Sequence, residues 1–539
     1  MNVLSDLVRE RCLILPQARP RIPGDAPQSV AAVLERGLRN CPQREALVGR
    51  HSRYTYATLD RAADQAAAAL WELGVRPGDR VAACTGNHPD IVIAFLGCMR
   101  LGAIWVGINR PLAAPEKAYM LADSEACLFL GERAMCEQVR ARRHDVPSLR
   151  HVCELEAGDG GCEWHRLLAH ATSPAPKVDI DPFAPAAIAY TSGTTGFPKG
   201  AVHSQHNLLI PGAVAAATAA YPQGQIQGVL LPLTILNLMV LVPLLAFQIQ
   251  GCCVCMDRID AVGVAEWVRS ERIGHFAAVP AIYHDLLTNP QVDRNDLATL
   301  VRPEVGGAEC PPAFLQLYRE RFGADVSIGY GMTEAPTAVT RSLGDRPPTP
   351  GLIGRPLPQV EIRLLDGDGR DVAPGEVGEI CVAPARDGLF AGVYTPMLGY
   401  WGKPQETAKA LRDGILHTGD LGAVGEDGDL YIRGRRNELI LRGGANVYPA
   451  EIERVVHQDP RVAACAVLGI PDERLGERVV AAVQLAEGAS VTEEELRERC
   501  AAELARYKIP ERFYFVASLP RNSMGKIVKR DLRTQLGLV

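Results

Sequence analysis

One scheme recurs along the first 300 residues and constrains the fold more than any other feature: an apolar helical stripe, a glycine turn, then a short apolar strand. Over residues 55–75, Leu59, Ala62, Ala66, Leu70 and Leu73 recur at helical spacing, and "RPGDRVAACTG" then supplies a turn and a strand. "HPDIVIAFLGCMRLGAIWVGI" repeats helix, glycine and strand, and "RIGHFAAVPAIYHDLL" shows the scheme again near residue 280. Alternation with such short connections predicts an α/β protein with largely parallel sheets. At 539 residues the chain is too long for one core, so at least two domains are expected.

The pattern changes after about residue 350. In "EIRLLDGDGRDVAPGEVGEICV", Asp-Gly and Pro-Gly turns separate short alternating strands, which predicts a small antiparallel, barrel-like unit. Beyond Arg442 the order becomes helix, strand, strand, helix ("PAEIERVVHQ", "VAACAVLGI", "RVVAAVQL", "TEEELRERCAAELA"), as in a small α+β domain. A boundary near Arg436 and Asn437 divides the chain into residues 1–436 and 437–539.

Charge and composition exclude several classes of function. Lysine plus arginine total 57 against 63 acidic residues, a formal net charge of −6 that provides no basic field for nucleic acid or anionic membrane. The most apolar stretch, "VLLPLTILNLMVLVPLLAF" over 229–247, is interrupted by Pro232, Thr234, Asn237 and Pro243, and is expected to be a buried helix or strand pair rather than a membrane span. The opening residues lack a signal-peptide pattern, so a cytoplasmic location is expected. The 15 cysteines are scattered, apart from Cys252, Cys253 and Cys255 in "GCCVC". That trio has no second ligand pair at metal-binding distance and is expected to lie in a buried strand.

The stretch with the clearest chemistry is "YTSGTTGFPKG", residues 190–200. Its glycines can turn backbone N–H groups inward, its hydroxyls add donors and Lys199 adds a charge, so it can cradle phosphate. It is not a P-loop, because Lys199 is followed by glycine rather than serine or threonine.

Extended to "YTSGTTGFPKGAVHSQHNL", the stretch resembles the signature of the adenylate-forming superfamily of acyl-CoA synthetases, peptide-synthetase adenylation domains and luciferases. "GYGMTEA" (329–335), "LHTGDLG" (416–422), "GRRNELILRGGANVYPAEIE" (434–453) and "LPRNSMGKI" (519–527) match the same family in order, and the resemblance covers nearly the whole chain, closest to the acyl-CoA synthetases. It implies an ATP-dependent acid:CoA ligase that makes an acyl-AMP and then a thioester, with ATP, Mg²⁺ and coenzyme A as cofactors and a homodimer as a compatible assembly. Thr191, Ser192, Gly193, Thr194, Thr195, Gly196 and Lys199 would hold the β- and γ-phosphates. Thr333 would touch phosphate, Glu334 would help hold the metal, and Tyr330, beside Gly331, would stack on adenine. Asp420 and Arg435 would bind the ribose. Gly306, with Gly307 and Ala308, would form the strand edge beside both acyl group and adenine.

Lys526 would bridge acyl carboxylate and α-phosphate, a task suited to a compact charge on a long stem. The C-terminal domain would be mobile, hinged at Asn437, and would rotate so that Gly443 and Gly444 open a channel for pantetheine. The chain departs from the family in two places. Asn437 stands where aspartate or lysine is usual, and Thr234 and Ile235 replace an aromatic residue and a histidine after "PL". Losing two rings leaves volume, and the lining from Ile235 through Asn237 to Leu241 predicts a bulky, mainly hydrophobic acid.

Three other readings stay open on the sequence: an enzyme specialised in thioesterifying an adenylate made elsewhere, one that loads a carrier protein, and a luciferase-type oxidation. A nucleotide-binding protein without catalysis is disfavoured by Lys526, Glu334 and Asp420 together.

Overall fold

The computed structural model describes all residues except 1–2, 157–160, 172–173, 192–197, 302–303, 306–311, 336–337, 346–347, 350, 436–437, 443–444, 473–474, 505, 523–524 and 539. The chain divides into two compact units. The first comprises Met1–Pro348, Gly354–Ile362 and Val382–His417; the second comprises Thr349–Ile353, Arg363–Cys381 and Thr418–Val539. The expected boundary at Arg436 and Asn437 lies outside the described residues.

The alternation read from sequence builds the first unit. Thr55 accepts a hydrogen bond from the Thr58 N–H and starts the helix Tyr56–Glu72, whose Leu59, Ala63, Ala66 and Leu70 are fully buried. The helix Pro89–Leu101 packs against it, and at Gly97 an added Cβ would lie 2.8 Å from Ala66 Cβ, so only glycine permits this approach. Gly102 ends that helix in the left-handed conformation before the strand Ile104–Gly107.

Two sheets result. In the seven-stranded one, Ile104–Gly107 pairs in parallel with Arg80–Cys84 and Pro185–Thr191, and the order continues through Leu128–Gly131 to His151–Glu154. Its other edge is antiparallel: Lys199–Ser204 folds back on Pro185–Thr191, and Gly399–Tyr400 pairs with Lys199–Ser204. The six-stranded sheet runs Glu304–Val305, His275–Ala278, Ile226–Val229, Cys252–Cys255, Glu45–Val48, Arg53–Thr55, all parallel until the last. Cys252, Cys253 and Cys255 are buried in that sheet as the strand reading expected, and burial pushes the Cys252 thiol up to about 12.

The apolar stretch 229–247 finishes the Ile226–Val229 strand and then forms a buried helix in three pieces. Leu236–Met239 and Leu245–Gln248 are α-helical, and Val240–Leu244 between them is π-helical around Pro243. Proline has no N–H to donate and its ring crowds the preceding turn, so a wider turn lets the helix pass it unbroken. No helix among the described residues is long and apolar enough to cross a membrane.

The second unit carries the predicted order of helix Pro449–His457, strands Val462–Asp472 and Gly476–Leu485, and helix Glu493–Glu503. The two strands form a long antiparallel pair, and Arg512–Phe515 adds in parallel to Gly476–Leu485. Thr492 and Glu495 cap the last helix reciprocally.

Candidate active site

The antiparallel edge of the seven-stranded sheet presents the glycine-rich stretch. Tyr190 pairs with Gly200 and Thr191 with Lys199, so the hairpin closes at the point where 192–197 begin. Gly200 has no room for a side chain, since a Cβ there would lie 2.5 Å from Ile188 Cγ2. Ser192, Gly193, Thr194, Thr195 and Gly196 lie outside the described residues; the strands on either side of them, Pro185–Thr191 and Lys199–Ser204, are largely buried.

Lys199 leaves the hairpin toward Glu406, with Nζ 3.1 Å from Oε2, and lies over the Tyr400 ring at 4.6 Å. Hydrogen bonds from Lys409 and Lys199 hold the Glu406 carboxyl below its usual range. Tyr400 sits on the adjoining strand, opposite Ala201, and its hydroxyl donates to Glu334 Oε1 at 2.8 Å. Burial first, and the Glu334 charge second, push the Tyr400 pKa far up, so it stays a protonated donor. The Met397 N–H donates to the Glu334 carbonyl at 3.3 Å, which ties the same segment at a second point. Lys199 and Glu334, chosen separately from sequence, are thus joined through Tyr400.

A second polar group braces the hairpin from below. Tyr190 donates to Asp123 Oδ2 at 2.8 Å, Lys403 Nζ lies 3.3 Å from Asp123 Oδ1, and Tyr119 donates to the Pro198 carbonyl at 3.2 Å. Tyr400, Glu406, Lys403 and Asp123 were missed by the sequence reading. A signal was present in "GYWGKPQET", where aromatic residues between glycines precede a proline-started helix.

Tyr330 lies on the strand Gly329–Gly331, paired with Ala338–Arg341, and the ladder shifts between Tyr330 and Gly331. Its ring is half-buried and packs on the main core. Thr333 and Glu334 follow in the next turn. Beneath them His203 is fully buried, and burial pulls its pKa down to about 4, partly offset by the Thr333 backbone. Gly306, Gly307 and Ala308 lie outside the described residues.

Where the family's aromatic residue and histidine are absent, Thr234 is buried and donates to Asn109 Oδ1 at 3.0 Å. The Asn87 side chain accepts from the Leu233 N–H and donates to the Leu231 carbonyl, fixing the turn that leads to half-buried Ile235 and Asn237. Gly107 sits under this turn, and a Cβ there would lie 1.9 Å from the Thr234 carbonyl oxygen.

In the second unit, Asp420 is buried on the strand Ile415–Val424, and its N–H donates to Thr418 Oγ1 at 3.0 Å. It pairs across the ladder with Arg435. Lys526 is exposed on a tight turn: its N–H donates to Asn522 Oδ1, its carbonyl accepts from the Asn522 N–H, and Arg521 donates to the Gly525 carbonyl. Those bonds fix the backbone and leave the ammonium in solvent. Asn437, Gly443 and Gly444 lie outside the described residues.

With this geometry in view, similarity to known proteins can be weighed. Residues 34–394 match the family model "AMP-binding enzyme", and 451–526 match "AMP-binding enzyme C-terminal domain". The chain is 34% identical over 498 residues to the fatty acid–[acyl-carrier-protein] ligase ScoC of Streptomyces coeruleorubidus, covering 89% of this chain and 91% of that protein. It is also 34% identical over 517 residues to a feruloyl-CoA synthase of an Amycolatopsis species, covering 93% and 99%. Among solved structures, the anthranilate CoA ligase AuaEII in complex with anthranoyl-AMP superposes with a TM-score of 0.81 at 26% identity, covering 95% of this chain and 98% of that one.

Proposed function

The chain belongs to the AMP-binding enzyme family as an AMP-forming acyl-CoA synthetase, and we propose that it activates a bulky, mainly hydrophobic carboxylic acid. A carboxylate is a poor acyl donor because its leaving group would be oxide. Attack of the acid's oxygen on the α-phosphorus of ATP expels pyrophosphate and forms the acyl-AMP; attack of the CoA thiol on the acyl carbon then expels AMP.

The observation that carries this reading is the Lys199–Tyr400–Glu334 link, which sets an ammonium and a carboxylate at the foot of a glycine-rich hairpin. The hairpin N–H groups and Lys199 would take the β- and γ-phosphates. The Glu334 carboxylate, aimed by Tyr400, has the hard oxygen chemistry that suits Mg²⁺, which when bound neutralises charge developing on the phosphoryl oxygens. Tyr330 would stack on adenine, and Asp420 and Arg435 would hold the ribose. Lys526 would pair with the acid's carboxylate and the α-phosphate during the first half-reaction.

Residues 437–539 would act as the mobile domain, with Asn437 as hinge. Gly443 and Gly444 would line the thiol channel once it has turned. The turn from Thr234 through Ile235 to Asn237 would border the acyl group, with room where rings are absent.

ATP–pyrophosphate exchange across a panel of acids without CoA, followed by mass detection of the thioester with CoA or with an acyl-carrier protein, tests the reading. Acid-dependent exchange and an acyl-CoA product are expected. No exchange with any acid, alongside thioester formation from supplied adenylate, would instead identify an enzyme of the second half-reaction. The likeness to a carrier-protein ligase makes the acceptor arm necessary.

A further inference from the structure

Beyond the phosphate end, three side chains from separate segments of the first unit converge on the carboxylate of a fourth, Glu304. Glu304, on the edge strand of the six-stranded sheet, accepts from Arg341 Nη2 at Oε1 (3.0 Å) and from the Tyr221 hydroxyl at Oε2 (3.1 Å). His275 Nε2 lies 3.8 Å from Oε2, and its ring meets Tyr221 edge-on at 4.8 Å. Burial pushes the Glu304 pKa up, but the Arg341 charge, with smaller help from His275 and Tyr221, outweighs it and leaves the carboxyl below its ordinary value. Burial pulls the His275 pKa down to about 4, so it is neutral at pH 7. The group therefore carries one negative and one positive charge.

Burying such a pair seldom adds stability, because desolvation of two ions offsets their attraction. The pair is also not sealed. Although crowded by protein on most sides, the Glu304 and Arg341 side chains keep 21% and 28% of their surface accessible to water, as groups lining a recess do. Arg341 Nε, itself buried, makes no hydrogen bond among the described residues.

The position of this recess is informative. Glu304 is two residues before Gly306, and Gly329, opposite Arg341 in the ladder, immediately precedes Tyr330. At Gly329 an added Cβ would already touch Glu304 Oε1 at 3.4 Å, so its missing side chain keeps the recess open beside the carboxylate. The charged pair is thus two residues along the chain from one of the stretches proposed for the acyl group and adenine, and opposite the start of the other in the ladder.

We infer that Glu304, Arg341 and Tyr221 form the far wall of the acyl pocket and select an acid carrying a hydroxyl group at the end remote from its carboxylate. This rests on the acid-activating function proposed above. A hydroxyl donates to Glu304 and accepts from Arg341 at once. A plain hydrocarbon would take the water from the accessible faces of the pair and return no hydrogen bond, and a second carboxylate or an ammonium would unbalance a neutral pair. The acid's body is apolar and its distal end is not.

Calorimetric binding of non-hydrolysable acyl-sulfamoyl-adenosines tests this without requiring catalysis. The ligands are the 4-hydroxycinnamic and cinnamic pair and the 10-hydroxydecanoic and decanoic pair. In at least one pair the hydroxylated ligand is expected to bind about 30-fold tighter or more, the scale of hydrogen bonds made to charged groups. Equal binding within both pairs overturns the hydroxyl inference and leaves the acid-activating function standing; binding of none of the four overturns both. The double variant Glu304→Gln, Arg341→Gln removes the two charges together and should bring the ratio within about threefold. Tyr221→Phe keeps the ion pair, is the milder change for folding, and should lower the ratio by about threefold or more. A folded variant of either kind that retains the wild-type ratio overturns the inference, since a purely structural ion pair would leave discrimination untouched.

Discussion

Two lysines of this chain carry assigned roles toward the same triphosphate, and their settings are opposite. Lys199 is only 16% exposed, ion-paired with Glu406, set over the Tyr400 ring, and carried on a strand with neighbours on both sides. Lys526 is exposed in the second unit, where its N–H donates to Asn522 and Arg521 donates to the Gly525 carbonyl, both local hydrogen bonds. A preorganised cation stabilises charge without reorganising at the moment of reaction, whereas a cation on a solvent-exposed turn can be presented to one half-reaction and withdrawn from the other. In the proposed function, the contrast would separate a group that stays in place from one that comes and goes.

The largest expected effect tests the withdrawn member. Lys526→Ala should lower ATP–pyrophosphate exchange by about 10³-fold, or roughly 4 kcal/mol of transition-state stabilisation, while thioester formation from preformed adenylate stays within about threefold. Equal loss in both half-reactions would break the comparison. Lys199→Ala should cost about 30-fold in kcat/KM for ATP. It should leave CoA use of preformed adenylate unchanged, because the phosphates Lys199 would hold have by then departed.

Tyr400→Phe sharpens the fixed side. It deletes the hydroxyl that aims Glu334 and keeps the ring under Lys199, so about a tenfold loss of adenylation is expected, with the Mg²⁺ dependence shifted to higher concentration. An unchanged Mg²⁺ titration would detach Tyr400 from the metal end. The smallest effect concerns the scaffold. His203 and His275 are buried neutral, each with a pKa lowered to about 4. Unfolded histidine titrates near 6.5, so between about pH 6.5 and 4 only the unfolded chain gains these protons. Stability should therefore be full above about pH 6.5 and fall on acidification, by on the order of 1 kcal/mol per pH unit for each histidine. Urea unfolding at pH 7 and pH 5 measures it, and His203→Phe should flatten part of the slope.

Much of the scaffold could be read directly. Leu59, Ala66 and Leu70 share one helix face, which is a statement about residues a few positions apart. The "helix, strand, strand, helix" order beyond Arg442 is legible for the same reason. Lys199, Glu334, Asp420 and Lys526 could be proposed from sequence because each sits in a short motif whose spelling survives without its partners. The stretch 229–247 was read as buried, yet its π-helical middle was not foreseen, since whether Pro243 breaks or widens a helix depends on what packs around it.

Tyr400 was invisible because its meaning lies in Glu334, 66 residues away, and in the Lys199 hairpin on its other side. The Glu304 wall was invisible for the same reason: Tyr221 is 83 residues before Glu304 and Arg341 is 37 after it. Sequence alone determined most of the helices and strands and the motif spellings, because hydrophobic period and motif spelling are local. Which of those elements became neighbours, and therefore that Tyr400 donates to Glu334 and that Tyr221 and Arg341 meet Glu304, only the tertiary structure decided. Hydrogen bonds and ion pairs act over about 3 Å in space and take no account of separation along the chain.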